Sequence, residues 1–438
     1  VSSSANEVYF LIQCYEKKTR AEAILKEVKK ITDINDKAFE IGSTIKLLGN
    51  LSWPLKAEQE FLSSYKKGKV VLPKIHYAKV DYSTQREALQ KLVSSFSAHD
   101  PMEVFTRDTI NSYIDAIDLN HCIGTDSFTE LSKKVFGFPG DPIPGAKKNI
   151  IDSAEELVRV AIDFIPPFIK APAANIDAHD VKKYMDRRIE GAFKGRGPEV
   201  IVTSDLAAKA TATSKIIKLR EGAHFTEYDF KQLFYHEVMT HSLTAINGSE
   251  QKILSCLGRG SLRTLKTQEG LATFSEVITG GMDIRRLTRL ALRILAIDLA
   301  LNGASFLDIF EFFVSKGQSE KESYLSTQRI FRGGFPDKNI VFTKDCIYLE
   351  GLINVHTLFR WAMKHNRLET CHLLFCGRLS LEDVFSLQES YDNQLISPPK
   401  YLPAWFSKIE GLAGSLSFSL LANLIRIDVA DKNFYKVA

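Results

Sequence analysis

This 438-residue sequence lacks any apolar run near the roughly 18 residues needed to cross a bilayer, so no membrane-spanning helix is expected. It has little net charge. The balance of 57 basic and 53 acidic residues leaves +4, too small an excess to imply nucleic acid. Cysteine is scarce and scattered: Cys14, Cys122, Cys256, Cys346, Cys371 and Cys376 show no paired framework. That excludes a disulfide-stapled scaffold and favours free buried thiols in a reducing compartment, so a cytoplasmic location is expected. Cys371-His372 with Cys376 has no second pair beside it, which speaks for core packing over a structural metal knot. Repeats and low-complexity tracts are missing too. The start, Val1-Ser2-Ser3-Ser4, has neither a basic stretch nor a long apolar core, so the residues given read as carrying no secretory signal. What is present, 45% hydrophobic and 25% charged residues, is ordinary for a globular chain with a substantial core.

Along the chain the patterns are mostly helical. Ala21, Ile24, Leu25, Val28 and Ile31 fall near helical spacing, with Lys17, Lys18, Arg20, Lys26, Lys29 and Lys30 as a solvated basic face. Residues 56–136 read as helices interrupted over 70–82, where Pro73 and mixed aromatics suggest an extended excursion. Gly137 to Gly145 holds three prolines and three glycines and marks a boundary. Ser153 with Glu156 opens a helix that Pro166-Pro167 should end. Asp177 opens another that stops at Gly195. Val200–Thr203 and Lys215–Arg220 are β-rich and predict two strands joined by an alanine-rich loop from Leu206 to Thr213. An open edge there would suit an extended peptide, although both strands could simply cover the core.

The chemistry concentrates in Phe234-Tyr235-His236-Glu237-Val238-Met239-Thr240-His241. Two imidazoles plus a carboxylate are the set that holds a catalytic zinc with one position left for water. Glu237, beside the first histidine, is placed to take a proton from that water. The histidines are five positions apart, which leaves them roughly 140° out of line on an ideal α-helix. The spacing therefore predicts a π-bulge between His236 and His241. Thr226 fits the N-cap of this helix, Asp229 its N3 position, and Phe225 with Phe230 a hydrophobic staple.

A carboxylate ligand must come from a second helix, running to Gly280-Gly281. Glu269 lies near its expected start, 28 positions after His241 (269 − 241), and Glu276 lies two turns on, on roughly the same face. Either would serve as the ligand, with the other orienting a histidine, and Thr273 is a further candidate for that outer role. Gly270 would let the two helices approach closely.

The ordered set His236 to Thr244, Gln268-Glu269-Gly270-Leu271-Ala272, Asp177 to Val181, Ser204 to Ala210, Arg329 to Gly334 and Phe342 to Asp345 with Tyr348 and Gly351 resembles a known family. It is similar to the bacterial QEGLA-motif proteins, often labelled flavohaemoglobin expression-modulating, and to the related microtubule-associated tyrosine carboxypeptidases. The resemblance covers roughly residue 40 to the end. Met239 stands where glycine is usual, and Thr273-Phe274 replaces a more aliphatic pair.

What the resemblance implies is an α+β, mainly helical fold. It would have a zincin-like metallopeptidase core, with a small sheet beside the HExxxH helix. The expected division is 1–145 as an N-terminal helical lobe, 146–375 as the catalytic core, and 376–438 as a helical segment packed on it, ending in a helix of about Leu412 to Ile427. One Zn2+ would be held by His236, His241 and Glu269, with Glu237 as acid and base. The substrate would be the C-terminal tail of a peptide or protein, an acidic tail included.

A carboxypeptidase must neutralise its substrate's terminal carboxylate, and Arg329, Arg332 and Lys344 are the candidates. Tyr348, or else Tyr324, could donate to the oxyanion. Arg286, Arg289 and Arg293 follow helical spacing within Ile284–Leu301 and read first as a solvated basic face, second as a groove for an acidic tail. The rival to a peptidase is a catalytically inactive or regulatory metal-binding protein that works through a partner.

Overall fold

A computed structural model describes residues 25–96, 100–168, 172–206 and 208–422. Cys14, the basic positions Lys17, Lys18 and Arg20, the helical positions Ala21 and Ile24, Ala207, and the end of the last helix toward Ile427 lie outside the described residues. Helices dominate, and the interruption expected before Tyr82 is present as an extended stretch after Gly68. Trp53 Nε1 donates to the Tyr77 hydroxyl at 2.7 Å, and that hydroxyl donates to the Gly334 carbonyl at 2.8 Å, so the excursion is fastened at its middle.

Several starts and stops differ from expectation. The helix Ile150–Phe168 is capped by Asn149 and Asp152, which exchange two backbone-to-side-chain bonds of 2.9 Å, so Ser153 and Glu156 lie inside it. It carries Pro166 and Pro167 in its last turn and runs on to Phe168, so the prolines fall inside the helix end rather than before it, each without an N–H to give to the helix. The helix Ala178–Phe193 begins at Asp177, whose carboxylate accepts from His179 N and Asp180 N, and ends on Lys194 and Gly195, both with positive φ.

Five short strands accompany the helices: β1 (Ile176–Asp177), β2 (Glu199–Thr203), β3 (Ala210–Ala212), β4 (Ile216–Arg220) and β5 (His224–Phe225). The two expected strands, β2 and β4, run parallel, with Val200 opposite Ile217. The alanine-rich segment is not all loop. Its Ala-Thr-Ala forms β3, antiparallel to β4, which becomes the central strand of the order β2-β4-β3. Alanine is a weak strand former, and the pairing rather than propensity makes this strand. On the β2 side, the Val200 carbonyl accepts from Lys182 Nζ at 2.8 Å. β5 pairs with β1 and leads straight into the histidine-bearing helix, with Phe225 buried at the junction.

That helix is built in three contiguous pieces, Glu227–Gln232, Leu233–Ser242 and Leu243–Ser249, the middle one π-helical. Its apolar face, Phe234, Val238 and Leu243, enters the larger hydrophobic core. The helix Leu262–Ile278 carries Glu269, and lies between the histidine helix and the helix Cys346–Lys364. Gly270 serves the second of these contacts: a Cβ there would sit 2.3 Å from the Gly351 carbonyl oxygen. The close approach is thus between the glutamate helix and Cys346–Lys364, not toward the histidine helix. Phe274 stacks on Phe359 at 4.7 Å and seals the same contact; such a pair adds roughly 0.5–1.5 kcal/mol to its area burial. A second, aromatic-rich core gathers Phe61, Phe306, Phe310, Tyr324 and Phe331 behind the helix Ile284–Leu301. Among the described residues, no helix is long and apolar enough to cross a membrane.

Candidate active site

The histidine helix starts where its sequence says. Thr226 Oγ1 accepts from Asp229 N at 3.0 Å and Asp229 Oδ2 accepts from Thr226 N at 2.9 Å, a reciprocal cap worth about 1 kcal/mol. The expected local bulge is a ten-residue π-helical segment, Leu233–Ser242. In i→i+5 geometry, residues five apart stack on one face. The Thr240 hydroxyl donates back to the Tyr235 carbonyl across that interval at 2.9 Å, and the His236 and His241 rings come to 4.8 Å between centroids. A lone bulge would have aligned the pair; the observed π-helical run is longer and includes Glu237 and Thr240.

Glu269 approaches from the middle of its helix rather than near its start. Its Oε2 lies 3.3 Å from His236 Nε2 and 3.6 Å from His241 Nε2. The three donor atoms fall within 4.8 Å of one another and could hold a metal ion. Glu269 Oε2 is buried and makes no hydrogen bond of normal geometry. A buried carboxylate oxygen without a hydrogen bond is costly, and an N, N, O set suits zinc. The residues present therefore fit a divalent metal.

Glu276 occupies the other nitrogen of the first histidine. His236 Nδ1 and Glu276 Oε1 are 2.6 Å apart, and Arg286 grips both oxygens of Glu276, Nη2 reaching Oε1 at 2.7 Å and Nε contacting Oε2. The choice left open between the two glutamates resolves geometrically: Glu269 faces the Nε2 atoms, and Glu276 holds the back of His236. Burial opposes charge on His236, but its contacts with Glu269 and Glu276 outweigh this and raise its pKa well above the ordinary imidazole value. Burial likewise opposes ionisation of both glutamates. His236 and His241 nevertheless hold Glu269 well below the usual carboxylate range, and His236 with Arg286 lowers Glu276. Thr273 does not share this role. Its hydroxyl donates to the Glu269 and Gly270 carbonyls at 2.8 and 3.0 Å, satisfying its own helix.

On the far side of Glu269 lies a cationic group. Tyr348 donates to Glu269 Oε1 at 3.3 Å, and Lys344 Nζ stands 3.8 Å from the same oxygen and 3.4 Å from the Tyr348 hydroxyl. Arg329 is already forked onto Asp345 at 2.6 and 2.7 Å, with Arg293 Nε 3.5 Å from the same carboxylate. Burial works against ionising Asp345, yet Arg329 and Arg293 hold its carboxyl well below the usual range. Burial lowers Arg293 to about 10, helped by the neighbouring Arg329. Arg332 lies over the Phe342 ring, 5.4 Å from its centroid, and its buried Nε has no hydrogen-bond partner. Tyr324, the alternative oxyanion donor, is buried in the aromatic core beside Phe61 and Phe306 instead.

Arg286 and Arg293 are therefore not a solvated face. The polar stripe of Ile284–Leu301 points at buried carboxylates, which exposure-blind spacing cannot distinguish from water. The expected site does not include Asp345, and it offers Arg286 and Arg293 only as a solvated face or a groove for an acidic tail. Asp345 had a signal, since it stands at the end of the quoted Phe342-Thr343-Lys344-Asp345 piece. Arg378 had none: its Nη2 donates to the His241 carbonyl at 3.3 Å from a distant loop.

The sequence profile of the family described as microtubule-associated tyrosine carboxypeptidase matches residues 59–424. A search of curated proteins returns no match. The profile spans most of the chain and includes every residue of the site described above, so the chain belongs to the microtubule-associated tyrosine carboxypeptidase family. Membership points to a peptidase of the carboxypeptidase kind, acting on a peptide or protein.

Proposed function

We propose that this chain is a zinc-dependent metallocarboxypeptidase that removes C-terminal residues from a peptide or protein tail. The observation that carries the reading is the convergence of His236 Nε2, His241 Nε2 and an otherwise unbonded Glu269 Oε2, with Glu237 next to the first histidine. His236, His241 and Glu269 would hold the ion. When bound, zinc supplies Lewis-acid polarisation of the scissile carbonyl and lowers the pKa of water toward neutrality.

The chain's own groups do the rest. Glu237 accepts the proton of the attacking water and passes it to the leaving amine nitrogen. Tyr348, whose hydroxyl already lies at Glu269, donates to the oxygen that gains charge as the carbonyl carbon becomes tetrahedral. Lys344 and Arg332 receive the substrate's terminal carboxylate, because Arg329 spends its fork on Asp345. In this reading Arg329 fixes Asp345 and the local field, and Arg332 keeps the free donor. Glu276 and Arg286 lock the His236 ring so that Nε2 faces the ion.

Glu237→Gln keeps the shape and removes the base. Turnover of C-terminal peptide libraries should fall by roughly 10²–10⁴ or more while metal content stays at the parent level. Unchanged cleavage by this variant would overturn the mechanism. Bound metal with no turnover by the parent chain on any library would favour the partner-binding regulator.

A further inference from the structure

A cavity of about 430 Å³ opens between residues 42–49 and the start of the glutamate helix. Its polar wall is Arg259, Arg378, Tyr113, Lys46 and Ser261, and no aspartate or glutamate lines it. Its apolar wall includes Ile45, Leu47, Leu48 and Leu265.

Several polar atoms of this wall are left without hydrogen-bond partners. The Tyr113 side chain is 3% exposed, and its hydroxyl lies beside the Cys256 thiol without a hydrogen bond of normal geometry. Its charged neighbours are the Arg259 and Arg378 guanidinium groups, which also act on each other as like charges. Arg259 Nε and Arg378 Nε are both buried and unbonded. Among the described residues Arg259 has no ion pair, and Arg378 spends one nitrogen on the His241 carbonyl. Glu269 attracts Arg378 from outside this lining. Gly260 and Gly42 keep the wall open: Arg378 Nη1 lies 3.0 Å from where a Gly260 Cβ would be, and the Tyr113 ring lies 2.6 Å from where a Gly42 Cβ would be.

Two neighbouring guanidinium groups with spare donors, one buried hydroxyl and no carboxylate make a site for an anion. The volume exceeds that of a bare oxyanion and falls in the range of small-molecule pockets. The leucines and isoleucine would cover an apolar body. None of His236, His241 and Glu269 lines the cavity, and its link to the metal tripod is the Arg378 bond to the His241 carbonyl.

We propose that this cavity binds a small molecule with an oxyanion head, phosphate or carboxylate, and an apolar body. The head sits between Arg259 and Arg378 within reach of Tyr113, and the body lies against Leu48 and Leu265. The claim does not depend on the peptidase reading.

The test is calorimetric titration of the full chain with phenyl phosphate and with benzoate, with inorganic phosphate alongside. Saturable binding of phenyl phosphate or benzoate near one per chain is expected, and the tighter of the two identifies the head group. Arg259→Gln should weaken it roughly tenfold or more, the worth of one charged hydrogen bond. Leu48→Asp, at a position 40% exposed and so tolerant of substitution, should weaken it by repulsion. Arg332→Gln, in the other cationic group, should leave it unchanged. No saturable binding would overturn the proposal, as would binding lost in Arg332→Gln but kept in Arg259→Gln. Inorganic phosphate binding as tightly as phenyl phosphate would overturn the apolar body.

Discussion

The two sides of Glu269 differ in how completely their polar groups are used. Toward Glu276 every strong donor is matched: His236 Nδ1 meets Glu276, and Arg286 closes on both of its oxygens. Toward Tyr348 the cations outnumber the acids: Arg293 and Arg329 share Asp345, Lys344 faces one oxygen of Glu269, and the Arg332 Nε has no hydrogen-bond partner. Buried donors without partners cost free energy, so a surplus marks a place where an anion completes the structure, whereas a saturated network marks a place that holds geometry. On this comparison we propose that Glu276 and Arg286 position, and that Lys344 and Arg332 bind.

The largest effect should come from breaking the saturated side. Arg286→Gln removes the clamp on a Glu276 side chain that is fully buried. Metal affinity should fall roughly 10- to 100-fold, and stability by about 3–5 kcal/mol, read by competition with a chelator and by urea unfolding. Loss of peptide affinity with metal affinity intact would reverse the assignment of the two sides.

A smaller, different effect should come from the surplus side. Arg332→Gln should raise KM for C-terminal peptides about tenfold and leave metal affinity at the parent value. A C-terminally amidated peptide should then be cut equally badly by parent and variant. If the variant lowers metal affinity instead, Arg332 belongs to the scaffold.

The smallest effect is in pH. Arg329 and Arg293 depress the Asp345 pKa. The stability this contributes is fully present above the unfolded aspartate value of about 3.9 and is lost as pH falls through the lower folded value. One group contributes at most about 1.4 kcal/mol per pH unit. Asp345→Asn should therefore flatten the acid limb of stability by up to that slope. Parallel acid limbs in parent and variant would remove Asp345 from the account.

Legibility followed locality. The N-cap at Thr226 and Asp229, the helix start at Asp177 and the need for i→i+5 alignment are set within a few residues, and each was readable. β3 was not, because pairing to β4 makes a strand of Ala210–Ala212 that propensity alone leaves as loop. Gly270 marks a close approach in the sequence, but the helix it meets is Cys346–Lys364 rather than the histidine helix, since sequence does not say which neighbour a face meets. The same gap hid Arg286 and Arg293. Their spacing showed a polar stripe, and only packing shows that the stripe faces Glu276 and Asp345. Thr273 sat at the right spacing, yet its hydroxyl is satisfied within its own helix. The choice between Glu269 and Glu276 as ligand needed the third dimension, or the family.

The central claim is that His236, His241 and Glu269 form one metal site. Its most direct test is elemental analysis of the purified chain beside His236→Ala. The account predicts about one zinc per chain, the occupancy of a single catalytic site, and its loss in the variant. No stoichiometric metal after zinc is resupplied, or equal metal in both proteins, would contradict it.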